Sequence, residues 1–193
     1  MTGSPNFYGV LDFWFGAPGS VDYGKSREAW FRKSGAFDAL ICERFSGFYD
    51  AAHAGQLTHW RDSPLSLLAL TIVCDQFPRN LFRDSPRAFT SDAAALSCAQ
   101  HMVAQGWDRR LYAVQRQFVY LPFEHAEDLA MQRESLRLFG ELDQESGGDL
   151  LVWARKHAMI VERFGRFPHR NAMLGRASTP EEMEFLKGPD SRF

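Results

Sequence analysis

The sequence predicts an all-α protein, and three features of the 193-residue chain carry that prediction. Alanine and leucine occur 21 and 19 times, whereas valine, isoleucine and threonine together reach only 16, too few for a multi-stranded sheet. Apolar residues recur at helical spacing, and glycine, proline and capping residues separate the segments. With 45% hydrophobic residues, the chain is long enough to bury one sizeable core, so we expect a single domain over residues 1–193.

The first third of the chain predicts three packed helices. A short apolar helix at 7–15 ends at Gly16, and Trp30 with Phe31 indicates another short packed element. A stripe of apolar side chains at helical spacing predicts a helix from Phe37 to Gly55. Ser63 and Pro64 then form a helix start, and the segment 65–77 is apolar on nearly every side, which indicates a central buried helix.

The rest of the chain continues in helices with short connections. Either Ser85-Pro86 or Thr90-Ser91-Asp92 begins a helix that Gly106 closes. A stripe at 111–121 is interrupted by Pro122, and a further helix follows over 123–142. After Gly147-Gly148 a helix carries His157 in its apolar stripe, and Thr179 with Glu182 forms a capping box. We therefore expect antiparallel helix pairs stacked on one another.

Composition and charge exclude several classes of partner. The 22 basic and 24 acidic residues nearly cancel, so the chain lacks the positive field that a nucleic-acid partner requires. Three widely spaced cysteines, Cys42, Cys74 and Cys98, are interpreted as reduced core residues of a cytoplasmic protein. No leader-like or membrane-length apolar stretch is present, so no membrane association is expected. No dinucleotide, phosphate-loop or nucleophile-elbow motif occurs, and no cofactor is predicted.

Four motifs together give the chain a family resemblance over almost its whole length. They are Val-Leu-Asp-Phe-Trp-Phe-Gly at 10–16, Asp-Gln-Phe-Pro-Arg-Asn at 75–80, Tyr-Leu-Pro-Phe-Glu-His-Ala-Glu-Asp at 120–128 and Arg-Phe-Gly-Arg-Phe-Pro-His-Arg-Asn at 163–171. In this order they resemble the bacterial "domain of unknown function 924" family. The resemblance implies an all-helical fold similar to tetratricopeptide repeats, and it implies no established activity.

The third motif holds a cluster of candidate catalytic groups, namely Glu124, His125, Glu127 and Asp128. If they follow Pro122 into a helix, some of them share a face, as a divalent metal site or a general base requires. The competing interpretation is structural, because carboxylates near a helix N-terminus are stabilised by the helix dipole alone. The spacing is a weak metal signal, and no metal is predicted. His157 is interpreted as a core histidine unless it reaches the same site.

The second and fourth motifs repeat the order Phe-Pro-(His)-Arg-Asn and predict a ligand-binding site. Guanidinium forks hold carboxylate or phosphate, and amides add neutral donors. The candidate ligand-binding residues are Asp75, Arg79, Asn80, Arg166, Arg170 and Asn171, and His169 joins the candidate catalytic set. Alternatively, the arginines pair with Asp75, Glu124, Glu127 and Asp128 in an internal salt-bridge network. The number of acidic groups suffices for either arrangement.

Two hypotheses for function follow. The first is a protein that binds a small anionic or polar molecule in a charged cleft between helices, with hydrolytic or acid/base activity as an extension. The second is a helical-repeat module that binds a protein partner or a second copy of itself, with its polar motifs serving as structural cross-links. The sequence alone does not decide whether the protein is an enzyme.

Overall fold

The chain is all-helical. A computed structural model describes residues 6–189 and 191, and these residues include no β-strand. The α-helices of this part are α1 Phe7–Phe15, α2 Gly35–His53, α3 Pro64–Asp75, α4 Phe77–Leu81, α5 Asp92–Ala104, α6 Ala113–Glu124, α7 Leu129–Ser146, α8 Leu151–Phe164 and α9 Pro180–Phe185. Single 3-10 turns lie in several of the connections. No helix in the described part has the length and apolar character needed to cross a membrane.

The chain divides into two compact units. The first contains the described residues up to Arg83 together with Arg87–Pro122, and the second contains Asp84–Pro86 and the described residues from Phe123 onward. Helix α6 contributes to both, because the division falls between Pro122 and Phe123.

The first unit is built around α3, as the sequence predicts. Ser63 caps α3 by accepting a hydrogen bond from the Ser66 N–H, and Pro64 occupies the first turn. Every residue of α3 from Ser66 to Asp75 is buried, and the helix packs against α1, α2, α4 and α5. Trp14 of α1 adds an aromatic group to this core, with its ring centroid 5.7 Å from that of Phe77 and 5.5 Å from that of Phe118.

The second unit is built on the helical hairpin of α7 and α8. Helix α7 ends at Ser146, where Gly147 takes up a left-handed conformation with φ of 69°, and the short link 147–150 leads into α8. The two helices pack closely. Ile160 and Val161 of α8 form a core with Phe167, against which Phe164 and Phe185 pack. Thr179 and Glu182 form the predicted capping box at the start of α9.

The prediction of a helix break at Pro122 is wrong. Helix α6 continues through Pro122 to Glu124, and the next helix begins only at Leu129. The residues before the proline are buried, and that packing outweighs the missing N–H of Pro122 at the end of the helix. The acidic cluster therefore runs from the last residue of α6 to the N-cap of α7 and does not lie in the first turns of one helix.

Candidate functional site

The link between α6 and α7 begins the most polar part of the second unit. Glu124 is the last residue of α6, and Asp128 is the N-cap of α7, where its side chain accepts a hydrogen bond of 3.0 Å from the Met131 N–H. The buried amide of Gln132 donates from Nε2 to the carbonyls of Glu124 and Ala126, both at 2.7 Å. These contacts fix the backbone path of the link and place the Glu124 side chain.

Glu124 and His157 form a buried pair. The Oε1 atom of Glu124 lies 3.0 Å from Nδ1 of His157, and the two residues are only 3% and 6% exposed. The same Nδ1 lies 3.0 Å from the carbonyl oxygen of Trp153, one turn earlier in α8. Both neighbours accept hydrogen bonds, so Nδ1 carries the proton. This arrangement fixes the ring orientation and makes Nε2 the basic atom of a neutral imidazole.

Aromatic and basic groups surround this pair. The ring centroid of His157 lies 6.2 Å from that of His125 and 5.5 Å from that of Phe167. The guanidinium carbon of Arg170 lies 4.4 Å from the Phe167 ring centroid, and its Nη1 donates to the His125 carbonyl at 3.1 Å. We name these five residues, Glu124, His125, His157, Phe167 and Arg170, the His157 cluster. His169 lies at its edge, with its ring 5.6 Å from Phe167.

Glu127 anchors the segment that carries Phe167. Its carboxylate accepts hydrogen bonds from the Phe167 N–H at 2.7 Å and from both terminal nitrogens of Arg176. Burial alone would raise the pKa of Glu127, but the hydrogen bonds from Arg176 and Phe167 hold it below its usual value. Glu127 is therefore an ionised cross-link that positions Phe167.

Glu182 has the same role for Arg166 and Asn171. Its carboxylate accepts from Nε and Nη2 of Arg166 at 2.6 and 2.8 Å and from Nδ2 of Asn171 at 3.3 Å. The Arg166 hydrogen bonds lower the pKa of Glu182 to about 2, aided by the Thr179 N–H and opposed by burial. Asn171 also accepts from Nε of Arg176. Two of the predicted ligand-binding residues thus bind a carboxylate of the chain itself.

The second motif forms a comparable network in the first unit. Arg79 binds Asp92 through Nη1 and Nη2, at 2.9 and 3.3 Å, and its Nη1 lies 3.5 Å from the buried carboxylate of Asp75. Burial opposes the charge on Arg79, but these two carboxylates raise its pKa above the usual value. Asn80 donates to Asp38 at 2.8 Å, and Asp38 also binds Arg83.

Comparison with known proteins decides the family. The family described as "Bacterial protein of unknown function (DUF924)" matches residues 10–190. The chain belongs to this family. A DUF924-like fold is also seen in a solved structure, that of the protein of unknown function ATU0120 from Agrobacterium tumefaciens. That chain is 39% identical, the match covers 94% of this chain and 97% of the other, and the TM-score is 0.81. A search of curated proteins gives no match.

In this DUF924 chain, the structure brings together part of the predicted site. Glu124, His125 and Arg170 meet in the His157 cluster, whereas Glu127, Asp128, Arg166 and Asn171 form cross-links and a helix cap around it. Asp75, Arg79 and Asn80 belong to the first unit, so the prediction that the second and fourth motifs form one ligand-binding site stays a prediction. Within the described residues, no group of three or more His, Cys, Asp or Glu side chains could hold a metal ion.

Sequence reasoning missed two contributors to this region, Arg176 and Gln132, and left the role of a third, His157, open. Arg176 follows the fourth motif in an irregular segment and carries no local signal. Gln132 is a buried polar residue on the predicted helix, where only its contact with the link reveals a role. His157 did carry a signal, because a histidine within an apolar stripe must find a polar partner when it is buried.

Proposed function

We propose that this protein binds a small anionic or polar molecule at the His157 cluster and transfers a proton to or from it. The observation that carries the proposal is the buried contact of 3.0 Å between Glu124 and Nδ1 of His157. A carboxylate in this position holds the imidazole in one tautomer and stabilises the imidazolium that forms when Nε2 takes a proton. A histidine held in this way acts as a general acid or base near neutral pH.

Arg170 supports the anionic character of the ligand. Its guanidinium carbon lies 4.4 Å from the Phe167 ring centroid, within cation–π distance, and the same ring lies edge-on to the His157 ring at 5.5 Å. A guanidinium fixed beside a general base holds a carboxylate or phosphate bidentately and orients it for proton transfer. Arg79 and Arg166 hydrogen-bond to carboxylates of the chain itself, and the proposal names Arg170 as the group that would hold the anion.

The tautomer is the first test, and it needs no ligand. In nitrogen-15 NMR spectra of imidazole-labelled protein, we expect His157 to show a protonated Nδ1 at neutral pH. Glu124→Gln removes the carboxylate but leaves the Trp153 carbonyl as an acceptor, so the preference for the Nδ1 tautomer should weaken without disappearing in that variant. A wild-type spectrum with the proton on Nε2 alone would remove the basis for a proton-transfer role.

Ligand binding is the second test. We expect carboxylates and phosphates, such as succinate, citrate, inorganic phosphate and pyrophosphate, to include at least one that raises the melting temperature. Arg170→Lys keeps the charge but loses the planar fork, so it should abolish that increase. Arg163→Lys is the matched control, because Arg163, in the last turn of α8, forms an exposed ion pair with Glu181 of α9. Equal loss in both variants would show non-specific charge binding.

A second function, docking of a partner helix, has one observation in its favour. The outer side of α8 exposes Val152, Trp153 and Met159, of which Met159 is 67% exposed. Exposed apolar side chains at helical spacing form a face against which a helix of a partner, or of a second copy of the chain, can pack. Stacked helix pairs in repeat-like folds bind partners through such faces. Sedimentation of wild-type protein and Met159→Glu over a range of concentrations tests it, because self-association through this face should disappear in the variant.

A further inference from the structure

The first unit carries an exposed aromatic and basic surface that the proposed function does not use. It is formed by two segments, residues 20–33 between α1 and α2 and residues 108–116, which lead into α6. Phe31 in the first segment is 61% exposed, and Tyr112 in the second is 60% exposed. Exposed aromatic side chains are enriched where proteins contact one another.

Aromatic contacts hold the two segments together. The ring centroids of Tyr23 and Tyr112 lie 6.0 Å apart in an edge-on arrangement. Phe31 stacks on the buried Phe118 of α6, with 6.3 Å between the ring centroids and 6° between the ring planes. The first segment therefore lies along the first half of α6, and both exposed rings belong to the surface that the two segments share.

The first segment is fixed to the end of α1. Gly16 takes φ of 84°, and a Cβ at this position would lie only 2.9 Å from Oγ of Ser20, so the turn packs directly on the helix end. The side chains of Arg27 and Trp30 both donate to the Trp14 carbonyl, at 3.1 and 3.0 Å. A surface that is ordered in this way pays less conformational entropy when a partner binds.

The exposed charges of the two segments are mainly positive, although the whole chain has 22 basic and 24 acidic residues. The exposed basic residues are Lys25, Arg32, Lys33, Arg109 and Arg110, and the exposed acidic ones are Asp22 and Glu28. Arg32 pairs with Glu28 at 2.9 Å, and Arg109 lies 3.5 Å from Asp108. Within the described residues, the side chains of Lys25 and Arg110 form no ion pair, so they are the cations available to a partner.

This arrangement suits an acidic peptide segment better than a membrane or a nucleic acid. Membrane-surface elements are typically long amphipathic helices, whereas this surface consists of loops with two 3-10 turns, Glu28–Trp30 and Asp108–Arg110. The exposed carboxylates of Asp22 and Glu28 interrupt the cations, which disfavours contact with a continuous row of phosphates. A peptide places its carboxylates one by one, beside the cations and away from the acids.

We propose that Lys25, Phe31, Arg110 and Tyr112 form a docking surface for an acidic segment of another protein that also carries aromatic side chains. We name these four residues the Phe31–Tyr112 surface. Carboxylates of the segment pair with Lys25 and Arg110, and its aromatic side chains pack on Phe31 and Tyr112. No residue of this surface belongs to the His157 cluster, so the inference is independent of the proposed function.

Two polymers separate the contribution of charge from that of the rings. Fluorescence anisotropy at about 0.1 M salt would compare a labelled random copolymer of glutamate and tyrosine with polyglutamate of the same number of carboxylates. We expect the copolymer to bind at least about tenfold more tightly, because only its rings pack on the surface. Phe31→Ala combined with Tyr112→Ala should remove that difference. Lys25→Glu combined with Arg110→Glu should weaken the binding of both polymers at least about tenfold.

Matched controls carry the same kinds of change on exposed residues of the second unit. Trp153→Ala with Met159→Ala removes two exposed apolar side chains, and Arg133→Glu with Arg155→Glu changes the net charge as much as the double reversal in the surface. Both controls should bind the copolymer as the wild type does. Every exchanged side chain is exposed, so we expect all variants to keep the wild-type circular dichroism spectrum.

Several outcomes would overturn this docking surface. Equal binding of the two polymers shows contact by charge alone, and equal loss of binding in the controls shows that the surface is not the site. Phosphatidylserine vesicles or a single-stranded oligonucleotide that bind as tightly as the copolymer show a different class of partner. If neither polymer binds, the inference fails, whereas anion binding at the His157 cluster is unaffected.

Discussion

Glu182 is a carboxylate whose charge stabilises the second unit through Arg166. Its pKa is lowered to about 2, first by the Arg166 hydrogen bonds, whereas the ordinary value is about 4.3. A carboxylate with a depressed pKa in the folded state stabilises the fold above its unfolded pKa, and that stabilisation is lost as pH falls from about 4.3 towards 2.

The prediction concerns the pH dependence of stability. Glu182→Gln should lower the melting temperature at pH 7, and the gap to wild type should close as the pH is lowered from about 4.3 towards 2. Glu181→Gln is the adjacent control, because its exposed pair with Arg163 contributes at most about 1 kcal/mol. A gap between wild type and Glu182→Gln that persists unchanged near pH 2 would contradict this assignment.

Residue-level contacts were predictable from sequence only where both partners are close in the chain. The Thr179–Glu182 capping box spans three positions, so local geometry determines it. Arg166 and Glu182 are separated by 16 positions, and Arg176 and Glu127 by 49, so their pairing depends on how the helices pack. Burial of single residues has the same limit: Cys74 and Cys98 are buried as predicted, whereas Cys42 is exposed.

At the scale of elements, helix ends followed local signals except where packing opposed them. Ser63 and Pro64 begin α3 as predicted, whereas α7 continues past the predicted end at Leu142 to Ser146, where Gly147 closes it. Helix α8 ends at Phe164, because Gly165 takes up a left-handed conformation with φ of 70°. Pro122 did not break α6, since the buried residues Phe118–Leu121 hold the helix in place. The continuation of α6 through Pro122 is what places Glu127 and Asp128 in a link and not in a helix.

The new position of Asp128 gives a prediction for α7. Asp128 caps the helix by accepting the Met131 N–H, so Asp128→Ala should cost about 1 kcal/mol of the free energy of unfolding. Asp128→Asn keeps a capping oxygen and should lose much less. Chemical denaturation of both variants measures the difference. If Asp128→Asn is as destabilised as Asp128→Ala, the carboxylate charge matters beyond its role as a cap.

For the whole chain, composition and periodicity were enough to predict the all-α class, and the four motifs were enough to predict the family. Fold class and family were predictable because each depends on signals spread over many residues. The candidate site was only partly predictable. Its central pair joins Glu124 to His157 across 33 positions, a contact that neither helix specifies alone. The prediction of a single domain over residues 1–193 implies that the whole chain unfolds in one cooperative transition.

We expect the chain to unfold as one cooperative unit although it contains two compact parts. Helix α6 contributes Ala113–Pro122 to the first part. Its last two residues, Phe123 and Glu124, belong to the second part, where the Gln132 amide donates to their backbone carbonyls. Opening the second part alone would therefore fray a helix whose buried residues belong to the first.

Tryptophan fluorescence can follow the first part selectively. The first part contains four of the five tryptophans, namely Trp14, Trp30, Trp60 and Trp107. The fifth is the exposed Trp153 on α8, and Trp153→Phe removes it so that all remaining tryptophan fluorescence comes from the first part. In that background, Asp128→Ala weakens only a helix of the second part. If unfolding is cooperative, the free energy of unfolding measured by fluorescence should fall by about 1 kcal/mol, the full cost of the lost cap. The fluorescence transition should also coincide with the transition followed by far-ultraviolet circular dichroism. A fluorescence transition that stays in place while the dichroism divides into two steps would show that the parts unfold separately.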